Sequence, residues 1–206
     1  MALVKLNNNG VKNATEFGSV TSLGSMVFIK KLTASSSATL SFVDGSSDVD
    51  LDNTYREYLI TFNNLHPATD GAFFQFNPSS DTGSNYNVTK TSTAVRQYHT
   101  EAGSSPLFDY LDGLDLAQST AFQTILENQG NGNDESLSGY LRLFEPSSTT
   151  FVKHFMGIIT GYQLNNAVNS QYTAGYCNTT SVVDAVQFKF SSGNIDAGDI
   201  CLYGIS

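Results

Sequence analysis

The amino-acid sequence predicts an all-β protein with a single-domain, jelly-roll-like β-sandwich. Three observations predict this fold class. Short runs of alternating apolar and polar residues recur along the chain, with the period of two that is typical of strands. Each run is bounded by Gly, Pro, Asn, Asp or Ser, which form turns. Charged residues make up only 14% of the chain, against about 25% in ordinary domains, and neutral polar residues take their place.

The first half of the chain contains three such runs. The run "SATLSFVDG" places Leu40 and Phe42 on one face and ends in Asp-Gly, a turn former. The run "TYREYLITFNNLHP" directs Ile60 and Phe62 inward and stops at a proline. A short aromatic strand, "GAFFQF", follows before a loop rich in Ser, Asp and Gly. These runs predict three separate short strands.

The second half repeats this pattern. Leu141 and Leu143 alternate with polar or aromatic neighbours in "SGYLRLFEPSS", and "TFVKHFMGIITGYQ" follows closely enough to predict a hairpin. Only "LDLAQSTAFQTILEN", residues 114–128, has a pattern that fits a helix or a long insertion loop. In total the chain predicts about eight to ten strands with no fixed repeat, which favours two packed sheets.

The last residues, "FKFSSGNIDAGDICLYGIS", are unusually apolar for a chain terminus. Residues of both parities are apolar between Ile200 and Ile205, which indicates a strand without a fully solvated face. We therefore expect the C-terminal strand to lie inside a sheet or an interface, as a structural part of the domain.

No linker divides the chain. We interpret residues 1–35 as an N-terminal arm with the first strand region and residues 36–206 as the β-sandwich domain. The arm is rich in Asn and Gly, yet it carries several apolar side chains that could be buried against a neighbouring protein. The candidate interface residues are Leu3, Val4, Leu6, Val11 and Phe17.

Charge and hydropathy exclude several classes of function. The net charge of −9 disfavours binding to nucleic acid, because an acidic surface repels phosphate groups. No apolar stretch approaches the roughly 20 residues of a membrane-spanning helix. The N-terminus has no signal-peptide pattern, so we expect synthesis in the cytoplasm.

Cysteine and histidine give no metal-binding pattern. Cys177 and Cys201 allow one disulfide if their strands pair, but a reducing cytoplasm favours two buried thiols. His66, His99 and His154 lie on three separate segments, and none has a second ligand at metal spacing. The sequence therefore predicts no metal site and no cofactor.

The acidic residues contain one cluster, in "DGSSDVDLDN". Asp44, Asp48, Asp50 and Asp52 fall close together, and a loop could fold several carboxylates around calcium. The spacing fits no known calcium loop, so a solvated turn is favoured. Sequence alone also identifies no carboxylate pair at the fixed gap that glycosidases need. With no nucleophile elbow or phosphate-binding glycine loop, no enzyme activity is predicted.

Three segments carry a family resemblance. They are "LGSMVFIKKLTASSSATLSFVDGSS", the stretch from Thr54 to Asn87 that contains "NNLHPATDGAFFQF", and the ending "VQFKFSSGNIDAGDICLYGIS". Together they cover more than half of the chain and resemble virion structural proteins of tailed bacteriophages of the marine and cyanobacterial type. The resemblance implies a structural role in a virion and carries no catalytic residues.

Two functions follow as hypotheses. The first is a non-enzymatic virion protein, either decorating the capsid or forming part of a head or tail appendage. Such a protein would be synthesised in the host cytoplasm, contact other virion proteins and form a homo-oligomer with symmetry-related copies of itself. The second is a carbohydrate-binding, lectin-like module of the host-recognition apparatus, whose exposed aromatic rings stack on sugars. Its candidate residues, all in loop-like regions, are Tyr86, Tyr98, Tyr110, Tyr162 and Tyr172.

Overall fold

The computed structural model describes residues 25–206, which form twelve β-strands and no helix. This exceeds the eight to ten strands predicted from the sequence. The strands are β1 (Met26–Thr33), β2 (Leu40–Val43), β3 (Glu57–Pro67), β4 (Ala72–Ser79), β5 (Lys90–Thr100), β6 (Leu107–Tyr110), β7 (Gln123–Gln129), β8 (Leu137–Phe144), β9 (Lys153–Gln163), β10 (Ala167–Cys177), β11 (Ala185–Phe190) and β12 (Ile195–Ile205).

The strands form two antiparallel layers that are joined at one point. One layer has eight strands in the order β1-β12-β3-β8-β9-β10-β5-β6, and the other has four in the order β7-β4-β11-β2. The layers meet where Gln129 of β7 pairs with Gln163 of β9. All connections except β5–β6, β8–β9 and β9–β10 cross between the layers. The predicted all-β, single-domain, jelly-roll-like sandwich is confirmed.

The hydrophobic core lies between the layers and is rich in phenylalanine. Phe62 of the eight-stranded layer contacts Phe74 and Phe188 of the four-stranded layer, with ring centroids 5.1 and 5.2 Å apart. Phe155 contacts Phe76 in the same way at 5.1 Å. These edge-to-face contacts between layers add to the burial of large apolar surfaces. The alternation predicted for the "TYREYLITF" strand is confirmed, because its inward side chains are fully buried.

The segment 114–128 contains no helix. Its first part is an irregular connection up to Phe122, and its second part is strand β7. Six of the seven residues of β7 are buried, so the strand shows no apolar and polar alternation. The absence of alternation in a strand enclosed on both faces explains why the sequence pattern did not identify it. The hairpin of β8 and β9, in contrast, was predicted correctly.

The C-terminal strand is built into the eight-stranded layer. β12 pairs with β1 on one side and with β3 on the other. The preceding Ser-Ser-Gly-Asn turn carries the chain from β11 in one layer to β12 in the other. The expectation of an internal C-terminal strand is therefore confirmed.

The two cysteines are far apart. Cys177 lies on β10 and Cys201 on β12, four strand spacings away, which corresponds to about 19 Å. Both are buried free thiols. The disulfide that the sequence left open is not formed.

Candidate functional site

The outward surface of the eight-stranded layer, here called the outer face, carries most of the exposed large apolar side chains. Along β9, residues alternate between buried and exposed, with Phe155 and Ile159 inward and Met156 and Ile158 outward. Neighbouring strands add more exposed apolar groups, since Val168 is 48% and Phe108 is 71% exposed. Several exposed apolar side chains on one face of a sheet are typical of a binding or interaction site.

Strand register arranges the outer face between β6 and β8 in three rows. One row, the aromatic row, consists of Tyr110, Val95, Tyr172, Ile158 and Tyr140. The next, the polar row, consists of Phe108, Gln97, Ser170, Thr160 and Ser138. The third, the end row, consists of His99, Val168 and Tyr162. Hydroxyl and amide groups thus lie between the rings and aliphatic side chains of the aromatic row and the His, Val and Tyr side chains of the end row.

Two adjacent grooves cross the polar and end rows. One has a volume of about 570 Å³ and is lined by Gln97, Phe108 and Ser170, among others. The second has a volume of about 520 Å³ and is lined by Ser138, Thr160 and Tyr162, among others. His99 and Val168 belong to both. Both volumes are within the range of small-molecule sites.

Several groups around the grooves are held in place by hydrogen bonds. The Tyr110 hydroxyl donates to Asp115 Oδ2 over 2.6 Å, and this bond raises the pKa of Tyr110. A hydrogen bond to the carboxylate of Glu101 likewise raises the pKa of Tyr162. The hydroxyl oxygens of Thr160 and Ser170 lie 2.6 Å apart. These bonds fix the rings and hydroxyls before any ligand arrives, which lowers the entropic cost of binding.

An ion-pair network beneath the grooves anchors β6. Arg96, on the inward side of β5, donates to both carboxylate oxygens of Asp109 over 2.9 and 3.1 Å. It also pairs with Glu127 of β7. The hydrogen bond to Asp109 is the main cause of a raised pKa for Arg96. This partly buried bidentate pair holds the short strand β6, and therefore Phe108, against β5.

The grooves contain few charged groups. Glu101 is the one carboxylate among their described lining residues, which include neither Lys nor Arg. The lining therefore favours a neutral polar ligand over a phosphate or sulfate, which requires cationic donors. No group of three or more His, Cys, Asp or Glu residues suited to a metal ion occurs within residues 25–206.

The five tyrosines predicted as a sugar platform are only partly brought together. Tyr110, Tyr162 and Tyr172 share the outer face, and Tyr98 lines the first groove beside them. These four lie in strands, so the expectation of loop positions was wrong for them. Tyr86 lies in the connection before β5, whereas Tyr98 lies near the far end of that strand, eight residues and therefore about 26 Å beyond its first residue, Lys90.

Other groove residues were not predicted from the sequence. Phe108, Gln97, Ser170 and Thr160 come from four different strands and meet only through strand register. The one signal in the sequence was that apolar residues occupy both alternating sets of positions in β9, which does not tell which set faces outward. The predicted interface residues Leu3, Val4, Leu6, Val11 and Phe17 lie outside the described residues.

The edge strand β1 forms a second exposed feature. It pairs with β12 on one side, and its other edge has no strand partner within residues 25–206. Met26 and Phe28 on this strand are 55% and 57% exposed. Phe28 contacts Tyr203 of β12 with ring centroids 5.6 Å apart. An open strand edge with large apolar side chains is a natural surface for pairing with another chain.

The acidic cluster of the sequence forms part of a turn. Asp44 Oδ1 accepts a hydrogen bond from the Leu51 amide over 2.8 Å, and Asp52 Oδ1 accepts one from the Thr54 amide over 2.8 Å. Both carboxylates therefore stabilise the local backbone, as Asp side chains commonly do in turns. This geometry agrees with the solvated turn that the sequence favoured.

Comparisons with known proteins supply no relative. No family model, curated protein or solved structure matches this chain. No helix that could cross a membrane is present between residues 25 and 206.

Proposed function

We propose that this chain is a non-enzymatic structural protein of a tailed-bacteriophage particle, held in place by contacts between proteins. It decorates the capsid or forms part of a head or tail appendage. The observation that carries the proposal is the edge of β1 that no strand within residues 25–206 covers, where Met26 and Phe28 are more than half exposed. The sequence resemblance to phage virion proteins supplies the kind of particle.

The β1 edge suits an assembly contact for two reasons. The backbone groups on its outer edge, which pair with no strand within residues 25–206, can hydrogen-bond a strand from another protein, which gives affinity without a deep pocket. Its exposed apolar side chains then supply the buried anchors that dominate interface energetics. The predicted interface residues Leu3 to Phe17 precede this strand in the sequence, so both proposed contributions come from the N-terminal part of the chain.

Repeated weak contacts are sufficient in such a role. Copies at symmetry-related positions on one particle act together, and their combined strength exceeds that of each contact. The chain then needs no catalytic constellation.

The test measures incorporation into particles. Particles purified from an infected host should contain the protein at a copy number that matches a symmetry of the capsid or tail. Phe28→Asp should lower this number about tenfold, since loss of an interface anchor commonly costs more than about 1 kcal/mol. Removal of residues 1–17 should also abolish incorporation while the β-sandwich stays folded.

Phe151→Asp is the matched control. Phe151 is an equally large side chain, 71% exposed, in the connection between β8 and β9. Its replacement should leave the copy number unchanged. Absence of the wild-type protein from particles would contradict the proposal, and normal incorporation of Phe28→Asp would contradict the assignment of the β1 edge.

A further inference from the structure

The side chains that line the two grooves of the outer face take no part in the proposed assembly contact at β1. The hydroxyl and amide side chains of the polar row end at the exposed ring of Phe108, and the exposed ring of Tyr110 follows in the neighbouring aromatic row. We propose that the two grooves bind a neutral oligosaccharide. A sugar ring presents C–H groups on its faces and hydroxyls at its rim, which matches these neighbouring surfaces.

The aromatic rings are spaced to contact more than one sugar unit. Tyr110 and Tyr172 are both opposite Val95, on either side of it, so their strands are about 10 Å apart. Phe108 lies two residues from Tyr110 along β6, about 7 Å away. Three rings on one face therefore offer stacking positions for an extended chain of sugars.

The polar row supplies the hydrogen bonds. Thr160 and Ser170 form a hydroxyl pair in the middle of the grooves, with Ser138 beside Thr160 and Gln97 beside Ser170. Hydroxyls and amides both donate and accept, as sugar hydroxyls do. Such a row orients the ligand, while the rings contribute most of the contact area.

Other ligand classes fit less well. β5, β9 and β10 are each paired on both sides, so their backbone groups are not open to a peptide adding as a strand. The absence of Lys and Arg from the described lining disfavours phosphorylated or sulfated ligands. The nearby carboxylate of Glu101 adds a repulsive charge against anionic sugars.

The test uses the full chain and four defined hexasaccharides. Maltohexaose, cellohexaose and mannohexaose serve as neutral probes, and hexagalacturonate serves as the acidic probe. Binding is measured by calorimetry and by tyrosine fluorescence, which is accessible because the chain has ten Tyr and no Trp. At least one neutral hexasaccharide should bind, and hexagalacturonate should bind at least tenfold more weakly.

Two variants test whether the sugar binds at the grooves or elsewhere on the surface. Phe108→Ala should raise the Kd of the neutral hexasaccharide about tenfold or more through loss of a stacking ring. Phe151→Ala, which removes an equally exposed ring outside the grooves, should leave the Kd unchanged. Phe28→Asp should also bind sugar normally, so failure of the assembly proposal is distinguishable from failure of this one.

Three outcomes would overturn the glycan site. They are failure of all three neutral probes to bind, equal weakening by Phe108→Ala and Phe151→Ala, and preferential binding of hexagalacturonate.

Discussion

Lys90 of β5 lies directly opposite Cys177 of β10, and both side chains are fully buried. Lys153 of β9 is opposite Cys177 on its other side and is equally buried. Lys90 Nζ donates to the Val88 carbonyl over 2.8 Å and to the side-chain carbonyl of Asn77. Two lysines thus flank a thiol in the interior and are held by neutral oxygens, an arrangement that disfavours charge on every member.

The three buried groups Lys90, Cys177 and Lys153 predict opposing effects of pH on the free energy of unfolding. Burial lowers the pKa of Lys90 to about 8, so the unfolded chain binds more protons than the folded chain above that pH, and stability rises. Burial raises the pKa of Cys177 to about 12, so the unfolded thiol ionises first as pH rises, and stability falls. Between pH 8 and 9.5 each effect is on the order of 1–2 kcal/mol, with opposite signs.

Urea unfolding at pH 8 and 9.5 tests this cancellation. Relative to the wild type, Cys177→Ala should gain stability over this interval, because only the lysine effect remains. Lys90→Met should lose stability over the same interval, because the thiol effect then remains and is opposed only by the lowered pKa of the buried Lys153. If all three proteins show the same pH dependence, these buried groups do not control how stability changes with pH.

Gly161 of β9, in the eight-stranded layer, lies close against side chains of β7 in the four-stranded layer. A Cβ atom at this position would overlap the side-chain oxygen of Gln129 and a methyl group of Leu126, both on β7. Gly161→Ala should therefore lower the free energy of unfolding by about 1–3 kcal/mol through overpacking. Gly113, whose Cβ would meet open space, is the matched position. In urea unfolding, Gly113→Ala should be neutral or slightly stabilising, and equal effects of the two changes would contradict the close approach.

The sequence predicted those strands whose two faces differ. The strand with Ile60 and Phe62 alternates because one face meets the core and the other meets solvent. β7 was missed because it is buried on both faces and has no such alternation. Alternation of apolar and polar residues identifies a strand only when one face is buried and the other is exposed. A strand that is buried on both faces has no such alternation.

The grooves could not be predicted for a different reason. Phe108, Gln97, Ser170 and Thr160 become neighbours only through pairing of β6, β5, β10 and β9, which is set by contacts distant in sequence. In β9 the residues of both parities are largely apolar, so the sequence does not reveal that Met156 and Ile158 face outward. Which face is covered depends on where the four-stranded layer packs.

A buried amide predicts a stabilising substitution. Asn169 is fully buried on β10, and neither polar atom of its side chain has a hydrogen-bond partner within residues 25–206. Asn169→Leu should raise the free energy of unfolding by about 1 kcal/mol, because an unpaired polar group is removed from the interior. Thermal and urea unfolding measure the change.

Gln163→Leu provides the matched comparison. Gln163 is also buried, but its Nε2 donates to the Glu127 carbonyl over 3.1 Å. Its replacement removes this buried hydrogen bond to the Glu127 carbonyl and should cost about 1–3 kcal/mol. If Asn169→Leu and Gln163→Leu lower the free energy of unfolding equally, the prediction is wrong, because the amide of Asn169 then stabilises the fold as much as the hydrogen-bonded amide of Gln163.

The C-terminal half of β12 is predicted to be essential for folding. Removal of residues 200–206 deletes Ile200 and Leu202, which are fully buried, and each is worth about 1.5–3 kcal/mol. The same deletion breaks the pairing of β12 with both β1 and β3, so the total loss approaches the roughly 5–15 kcal/mol stability of an ordinary domain. The truncated chain should therefore show no cooperative thermal transition by circular dichroism. Removal of Ser206 alone, which is exposed and follows the strand, should leave the transition in place. A truncation to residue 199 that melts at the wild-type temperature would show that β12 does not hold the layer together.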